Sequence, residues 1–340
     1  MDFTHPKEGW PALTVHVDKR ITLGALKKEL EPFVGCPSDR FKIYRVFGDN
    51  QEYETIRLNE TLAAYGDDSR ITIKLGQALK KGEYRVRVYQ LKVNEQEPYK
   101  LLVESIFAKG MTVLDSKKVI LKDMAAQGCK PLPPLERCRL RRCSWKNPTT
   151  IFADSKVYEE DIQVGPNWEI FLEVLEGAEK LVDPNQQAVY VRRWWPSTYE
   201  IGPFSEIILD SNSVEELKDK ISEASGIDSE NVEFAKGRGT FPCDVSVLEI
   251  QQELEWNPNV SCINSWPLSI IDDGAVLYYR DKTEELAGLT EEKKNIIQQR
   301  ENTRLRTTGR IKVKYSPRKE RALKIYTDDV PSKPATSSRN

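Results

Sequence analysis

Histidine, the side chain that most often acts as an acid or base near neutral pH, occurs only twice in this chain, as His5 and His16. A cysteine or serine nucleophile needs such a base beside it. His16 lies in a β-branched run at residues 13–17, where strand alternation places it opposite the apolar face, and His5 lies near the N-terminus. Both are predicted to be ordinary residues rather than catalytic bases. No catalytic residue is therefore assigned, and the chain by itself is not expected to be an enzyme.

The cysteines offer neither a disulfide framework nor a metal site. There are six of them, scattered along 340 residues: Cys36, Cys129, Cys138, Cys143, Cys243 and Cys262. No two form the C-x-x-C pair typical of structural zinc, and none has a histidine nearby in sequence. The Gly-Arg-Gly at residues 237–239 lacks the pattern of a phosphate-binding loop. We expect reduced thiols in a cytosolic compartment, and neither a metal nor a cofactor.

Composition and charge restrict the partners. The chain is 39% hydrophobic and 31% charged, without an apolar run long enough to span a membrane and without a signal peptide, so no membrane partner is expected. Its net charge is −2, but residues 302–324 alone carry nine basic residues and one acidic residue, a net +8 that leaves −10 on the remainder. An acidic body disfavours nucleic acid, and no nucleic-acid-binding motif accompanies the basic segment. The basic segment is instead expected to meet an acidic protein surface, in the cytoplasm or, as a second candidate compartment, the nucleus.

Three segments share one helix layout, in which a hydroxyl residue is followed by core-type positions one, four and eight residues later. The hydroxyl residues are Thr22, Thr112 and Ser213, spaced 90 and 101 residues apart. Each is predicted to cap the N-terminus of a helix whose spaced apolar residues form one buried stripe. In the third segment Glu216 predicts a capping box, in which its side chain returns to the backbone of Ser213.

Runs rich in β-branched and aromatic residues flank each predicted helix, with two after each helix, two before the second and third, and one before the first. One run, at residues 137–143, alternates Cys138 with Arg137, Arg139 and Arg141 and predicts a strand with one apolar and one basic face. The result is an α+β architecture of three repeated units, followed by a polar helix at residues 290–306. The predicted domains are residues 1–76, whose opening strand could be truncated, then 83–176 and 187–285, then a helix and basic tail at 286–326, with 327–340 disordered.

The order of hairpin, helix, strand and strand resembles the ubiquitin-like β-grasp fold. Two segments resemble ubiquitin in detail: SVEELKDKISEASGID at residues 213–228, and LNETLAAY at 58–65 followed by RITIKL at 70–75. No unit ends in the Gly-Gly that ubiquitin uses for conjugation. The resemblance implies three tandem ubiquitin-like domains built into a larger chain.

A second resemblance is narrower. The segments VRRWWP at 191–196, FAKGRGTFPC at 234–243, YRDKTEEL at 279–286 and YSPRKERALKIY at 315–326 resemble the C-terminal region of a ubiquitin-specific cysteine protease. The resemblance implies a non-catalytic regulatory and docking region of a deubiquitinase, because the cysteine and histidine boxes of the family are absent. A free-standing ubiquitin-like adaptor without protease activity is the alternative.

Two candidate interaction sites remain. The adjacent tryptophans Trp194 and Trp195 precede Pro196, so one indole of a strand must point away from the core and either contact a partner or pack between domains. The tail alternates bases with hydrophobes at residues 310–315 and is interrupted at Pro317, a pattern that suits strand addition to an exposed sheet edge. Its candidate contact residues are Ile311, Val313, Tyr315, Arg318, Lys319, Arg321, Leu323, Ile325 and Tyr326. The implied partners are the protease's own catalytic domain, protein substrates or adaptors, and ubiquitin; a solvated tail is equally compatible with the sequence.

Overall fold

The computed structural model describes residues 2–4, 13–14, 16–48, 51–165, 168–181 and 183–307. It is a mixed α/β structure with three separate sheets, each accompanied by one principal helix. We call the segments that contain these sheets the first, second and third units. None of the helices within the described ranges is both long and apolar enough to cross a bilayer.

The first unit has a five-stranded sheet in the order β2-β1-β5-β3-β4. Its elements are β1 (Asp2–Thr4), β2 (Leu13–Thr14), α1 (Leu23–Glu29), α2 (Glu31–Val34), β3 (Phe41–Val46), β4 (Glu52–Glu54) and β5 (Arg70–Leu75). An opening strand is present, although it is only three residues long, and it pairs in parallel with β5. His16 follows β2, outside the strand, and is exposed.

The second unit repeats this topology with longer strands, in the order β7-β6-β10-β8-β9. Its elements are β6 (Glu83–Leu91), β7 (Tyr99–Ala108), α3 (Val113–Ala126), β8 (Cys138–Ser144), β9 (Asn147–Phe152) and β10 (Trp168–Val174). The first and last strands, β6 and β10, lie parallel at the centre of the sheet.

The third unit has four strands in the order β12-β11-β14-β13. Its elements are β11 (Gln187–Trp195), β12 (Glu200–Leu209), α4 (Val214–Ser225), β13 (Val232–Lys236), α5 (Ile250–Glu253) and β14 (Val276–Asp281). Here β11 and β14 are the parallel central pair. A polar helix, α6 (Glu291–Thr307), follows, close to the predicted bounds of 290–306.

The three predicted helix caps are confirmed, whereas the capping box is wrong. Thr22, Thr112 and Ser213 each accept a hydrogen bond from a backbone N–H in the first helical turn, at 3.1–3.2 Å. Glu216 instead accepts from the backbone N–H groups of Asp210 and Ser211 at 2.5 and 2.8 Å. The reason is that the hydroxyl of Ser211 already accepts from the N–H of Ser213, which leaves the carboxylate to close the preceding turn.

Four hydrophobic clusters fill the structure. One lies within each unit, between the sheet and its principal helix. The fourth joins two units, because Leu91 and Phe171 of the second pack with Tyr190, Phe204 and others of the third. We call it the shared cluster. It means that the second and third units do not form separate bodies.

Candidate functional site at the interface of the second and third units

The basic face predicted for β8 is buried, which the sequence did not indicate. Arg139 is 2% exposed and Arg141 is fully buried. A buried cation is tolerated only where carboxylates and hydrogen bonds replace its water. The structure supplies them from three different parts of the chain: Glu173 on β10, Glu179 after β10, and Glu206 on β12 of the third unit. We call these five residues the interface ion cluster.

Arg139 is the best satisfied member of the cluster. Its Nε and Nη2 donate to the carboxylate of Glu179 at 2.7 and 2.5 Å, while Nη1 donates to Glu206 at 2.7 Å and to Glu173 at 3.2 Å. Burial acts to lower the pKa of Arg139, but these carboxylates outweigh it and the pKa is raised. The guanidinium is therefore a permanent cation that ties two units and the linker between them together.

Arg141 completes the cluster and shares the carboxylate of Glu206 with Arg139. It forms an ion pair with that carboxylate, and its Nε lies 3.0 Å from Glu173 Oε2 in an ion pair whose geometry is not that of a hydrogen bond. Its guanidinium also lies over the ring of Tyr190, 5.0 Å from the ring centroid. Burial raises the pKa of the Tyr190 hydroxyl well above its usual value, so the ring stays neutral beneath the cation.

Aromatic side chains of the shared cluster extend the contact between the second and third units beyond the ion cluster. Tyr190, Phe204 and Phe241 form a mutual triplet with ring centroids 5.6–6.0 Å apart. Rings at these separations add attraction beyond their buried area. The same shared cluster includes Phe171 of the second unit, against which Tyr89 and Tyr99 pack.

Hydrogen bonds of two polar side chains, Asn94 and Asp273, fix how the second and third units are aligned. Asn94, in the β6–β7 hairpin, donates to the carbonyl of Phe204 at 3.0 Å and accepts from its N–H at 2.6 Å. The carboxylate of Asp273 accepts from the N–H of Ile151 on β9 and from that of Ala188 on β11. One carboxylate thus bonds to a strand from each unit.

Gly274 marks how closely the backbones approach. A Cβ at this position would lie 1.7 Å from the carbonyl oxygen of Pro148, and the residue has a φ of +78°. Only glycine satisfies both conditions cheaply. The contact of Asp273 and Gly274 with β9 therefore depends on these residue types.

A cleft of about 1080 Å³ opens beside the ion cluster, between the end of β10 and the outer edge of β12. Arg139, Glu173 and Glu206 line it, together with the C-terminal half of α4. We call it the interunit cleft.

The structure describes both tryptophans that were predicted as contact residues, whereas the predicted contact residues of the tail lie outside the described ranges. Trp194 is fully buried in the shared cluster, 5.4 Å from Trp256 between ring centroids, which agrees with packing rather than an exposed contact. Trp195 is partly exposed and packs against Gly202 within its own unit. The remaining candidates lie outside the described residues: Ile311, Val313, Tyr315, Arg318, Lys319, Arg321, Leu323, Ile325 and Tyr326.

Two of the thiols, those of Cys138 and Cys143, are held in the protonated form by burial. All six cysteines are free, and burial raises the pKa of Cys138 and takes that of Cys143 to about 11. A protonated thiol is a poor nucleophile at neutral pH. Within the described ranges, no three side chains of His, Cys, Asp or Glu converge as a metal site would require.

Comparison with known proteins places this architecture in a family. The family model described as "Ubiquitin carboxyl-terminal hydrolase 47 C-terminal" matches residues 85–326, which cover all but the first two residues of β6 in the second unit, and the whole third unit. Proteins named ubiquitin carboxyl-terminal hydrolase 47 are 58% identical in Homo sapiens over 97% of this chain, and 26% identical in Drosophila melanogaster over 92% of it. The chain spans 24% of the human relative and 20% of the fly relative. By this match the chain belongs to the family of C-terminal regions of ubiquitin carboxyl-terminal hydrolase 47.

Proposed function

We propose that this chain is the non-catalytic regulatory and docking region of a ubiquitin-specific cysteine protease that removes ubiquitin from target proteins. The family match over residues 85–326 is the observation that carries the proposal. The described thiols and histidine support the non-catalytic part, since His16 is exposed and Cys143 is held protonated by burial.

The proposal includes three tandem ubiquitin-like domains. Each unit has a hairpin, a helix and a final strand that inserts in parallel beside the first. The order 2-1-5-3-4 recurs in the first two units, and the third unit has four of these strands in the same order, 2-1-5-3. The recurrence supports one fold used three times, with the second and third copies fused through the interface ion cluster and the shared cluster.

The proposed partners are proteins. The basic tail is proposed to contact the protease's own catalytic domain through its last apolar residues, Leu323, Ile325 and Tyr326. Its bases Arg318, Lys319 and Arg321 would steer that contact toward an acidic surface. The folded units would receive substrates, adaptors or ubiquitin, in the cytoplasm or nucleus. The free-standing adaptor has no observation in its favour, because the relatives reported above carry the name of a hydrolase.

Binding to the separate protease domain tests the proposal. Calorimetric titration of the full chain into that domain should show saturable binding that weakens as salt rises, because a +8 segment is involved. A chain with Arg318, Lys319 and Arg321 changed to Glu should bind at least about tenfold more weakly, by loss of charge attraction.

The matched control changes Lys118, Lys122 and Lys130 of the second unit to Glu and should leave binding unchanged. Absence of saturable binding, or hydrolysis of a fluorogenic ubiquitin substrate by the chain alone, would contradict the proposal.

A further inference from the structure

The outer edge of β12 is open over a short, defined window. In the ladder with β11, Glu206 faces Tyr190 and Ile208 faces Ala188. Tyr190 and Ala188 direct their backbone N–H groups to the opposite side, toward Ala275 and Asp273. The N–H and C=O groups of Glu206 and Ile208 therefore point outward, and no partner for them occurs within the described part of the chain.

At both ends of this window the outward backbone groups already have hydrogen-bond partners. Asn94 occupies the N–H and C=O of Phe204, and Glu216 occupies the N–H of Asp210. Between them the unpaired backbone groups face the interunit cleft, which extends along residues 204–208. An unpaired edge of this kind is a template for an added strand.

The charges around the cleft favour a basic occupant. Six carboxylates and four basic side chains line it. Glu176 and Glu223 are exposed there without an ion pair among the described residues. Val174, which is 40% exposed, and Ala224 add apolar surface beside them. A strand with one basic face and one apolar face would match this lining.

We propose that residues 310–315 of this chain, Arg-Ile-Lys-Val-Lys-Tyr, add to β12 as an extra strand in the interunit cleft. They alternate base and hydrophobe with the period of a strand. Their bases would face Glu223 on the α4 side of the sheet, and their apolar residues would cover Val174 on the side of the second unit. The inference concerns this chain alone, so it does not depend on a protease domain, and it leaves residues 322–326 for contact with another protein.

The attachment of α6 to the third unit supports this placement of the segment. Glu301 accepts a hydrogen bond from the N–H of Val247 at 3.2 Å. In the same loop Asp244 pairs with Arg192, which faces Phe204 across the ladder. The helix is thus attached to the loop that also contacts Arg192, the cross-strand neighbour of Phe204, and Phe204 lies about 7 Å along β12 from Glu206. It ends at Thr307, so the link to Arg310 spans up to about 10 Å.

Hydrogen exchange on the full chain tests the docking. Changing Lys312 and Val313 to Pro removes neighbouring N–H groups from the added strand without touching a described element. Exchange of the Glu206 and Ile208 amides should then be at least about tenfold faster than in the unchanged chain. The control with Ser332 and Lys333 changed to Pro should exchange at the original rate, and amides of β11 should be unaffected in both.

A charge reversal on α4 tests whether the carboxylate of Glu223 contributes to the docking of residues 310–315. Glu223→Lys should accelerate exchange at Ile208, whereas Glu215→Lys, on the same helix outside the cleft, should not. Equal exchange in the proline variant and the unchanged chain would overturn the inference. Protection that falls on tenfold dilution would also overturn it, by assigning the strand to a second copy.

Discussion

Arg139 and Arg141 are the residues on which the joined units depend most. Each is buried where water cannot solvate its charge, and their carboxylate partners come from β10, the following linker and β12. Breaking a buried ion pair by removing one partner leaves the other charge uncompensated, which costs more than the pair itself contributes. The ion cluster is thus expected to be intolerant of single substitutions.

Removal of one arginine should be strongly destabilising. We expect Arg141→Met to lower the free energy of unfolding by about 3–5 kcal/mol, because Glu206 and Glu173 lose a buried counter-ion. Lys118→Met, which breaks an exposed pair with Asp115, should cost less than about 1 kcal/mol. Urea unfolding of both variants measures the difference; equal costs would show that the cluster does not hold the units.

Acid should weaken the interface through Glu179. Burial acts to raise the pKa of this carboxyl, but hydrogen bonds from Arg139 and the N–H of Leu181 outweigh it and hold the pKa below its usual 4.5. A depressed folded-state pKa means that the stabilisation is present above about pH 4.5 and is lost as the pH falls through the lower folded value.

Replacement of that carboxylate should therefore have a pH-dependent effect. The difference in unfolding free energy between the unchanged chain and Glu179→Gln should be large at pH 6 and shrink toward zero in acid. Glu97→Gln, at an exposed site in the β6–β7 hairpin, should give the same small difference at both pH values. A difference for Glu179→Gln that does not vary between pH 6 and pH 3 would exclude this carboxylate as the acid-sensitive group.

The β6–β7 hairpin of the second unit is hydrogen-bonded to β12, the edge strand of the third unit. Asn94 makes two hydrogen bonds to Phe204, one in each direction. Asn94→Ala should cost about 1–3 kcal/mol, because it leaves the N–H and C=O of a buried residue unpaired. It should also accelerate amide exchange at Phe204. Gln96→Ala, in the same exposed hairpin, serves as the control, and similar effects of the two changes would contradict the assigned role.

Local pattern was sufficient to predict the helices, because a hydroxyl cap and spaced apolar residues act within one segment. Thr22, Thr112 and Ser213 all cap as predicted. Burial of Arg139 and Arg141 was not predictable in this way. Their partners lie 32–67 residues away in sequence, and alternation in β8 distinguishes two faces without saying which one another domain will cover. Trp194 is a similar case, since its exposure depends on neighbours outside its strand.

Among the described residues, the second and third units share a hydrophobic cluster and the first unit has no part in it. Contacts between the first and second units include the pair Arg85–Glu54 and a bond from Arg85 to the carbonyl of Gln77, both polar. Scanning calorimetry should therefore show two transitions, a larger one for the joined units and a smaller one for the first. Three separate transitions would mean that the interface does not couple them.

We propose that this chain regulates a protease and has no protease activity of its own. The most direct measurement is kcat/KM of the separate protease domain on a fluorogenic ubiquitin substrate, with and without the full chain added. We expect a saturable change in kcat/KM that is reduced in a chain lacking residues 308–340, and no turnover by the chain alone. An unchanged kcat/KM at saturating concentrations of the full chain would contradict it.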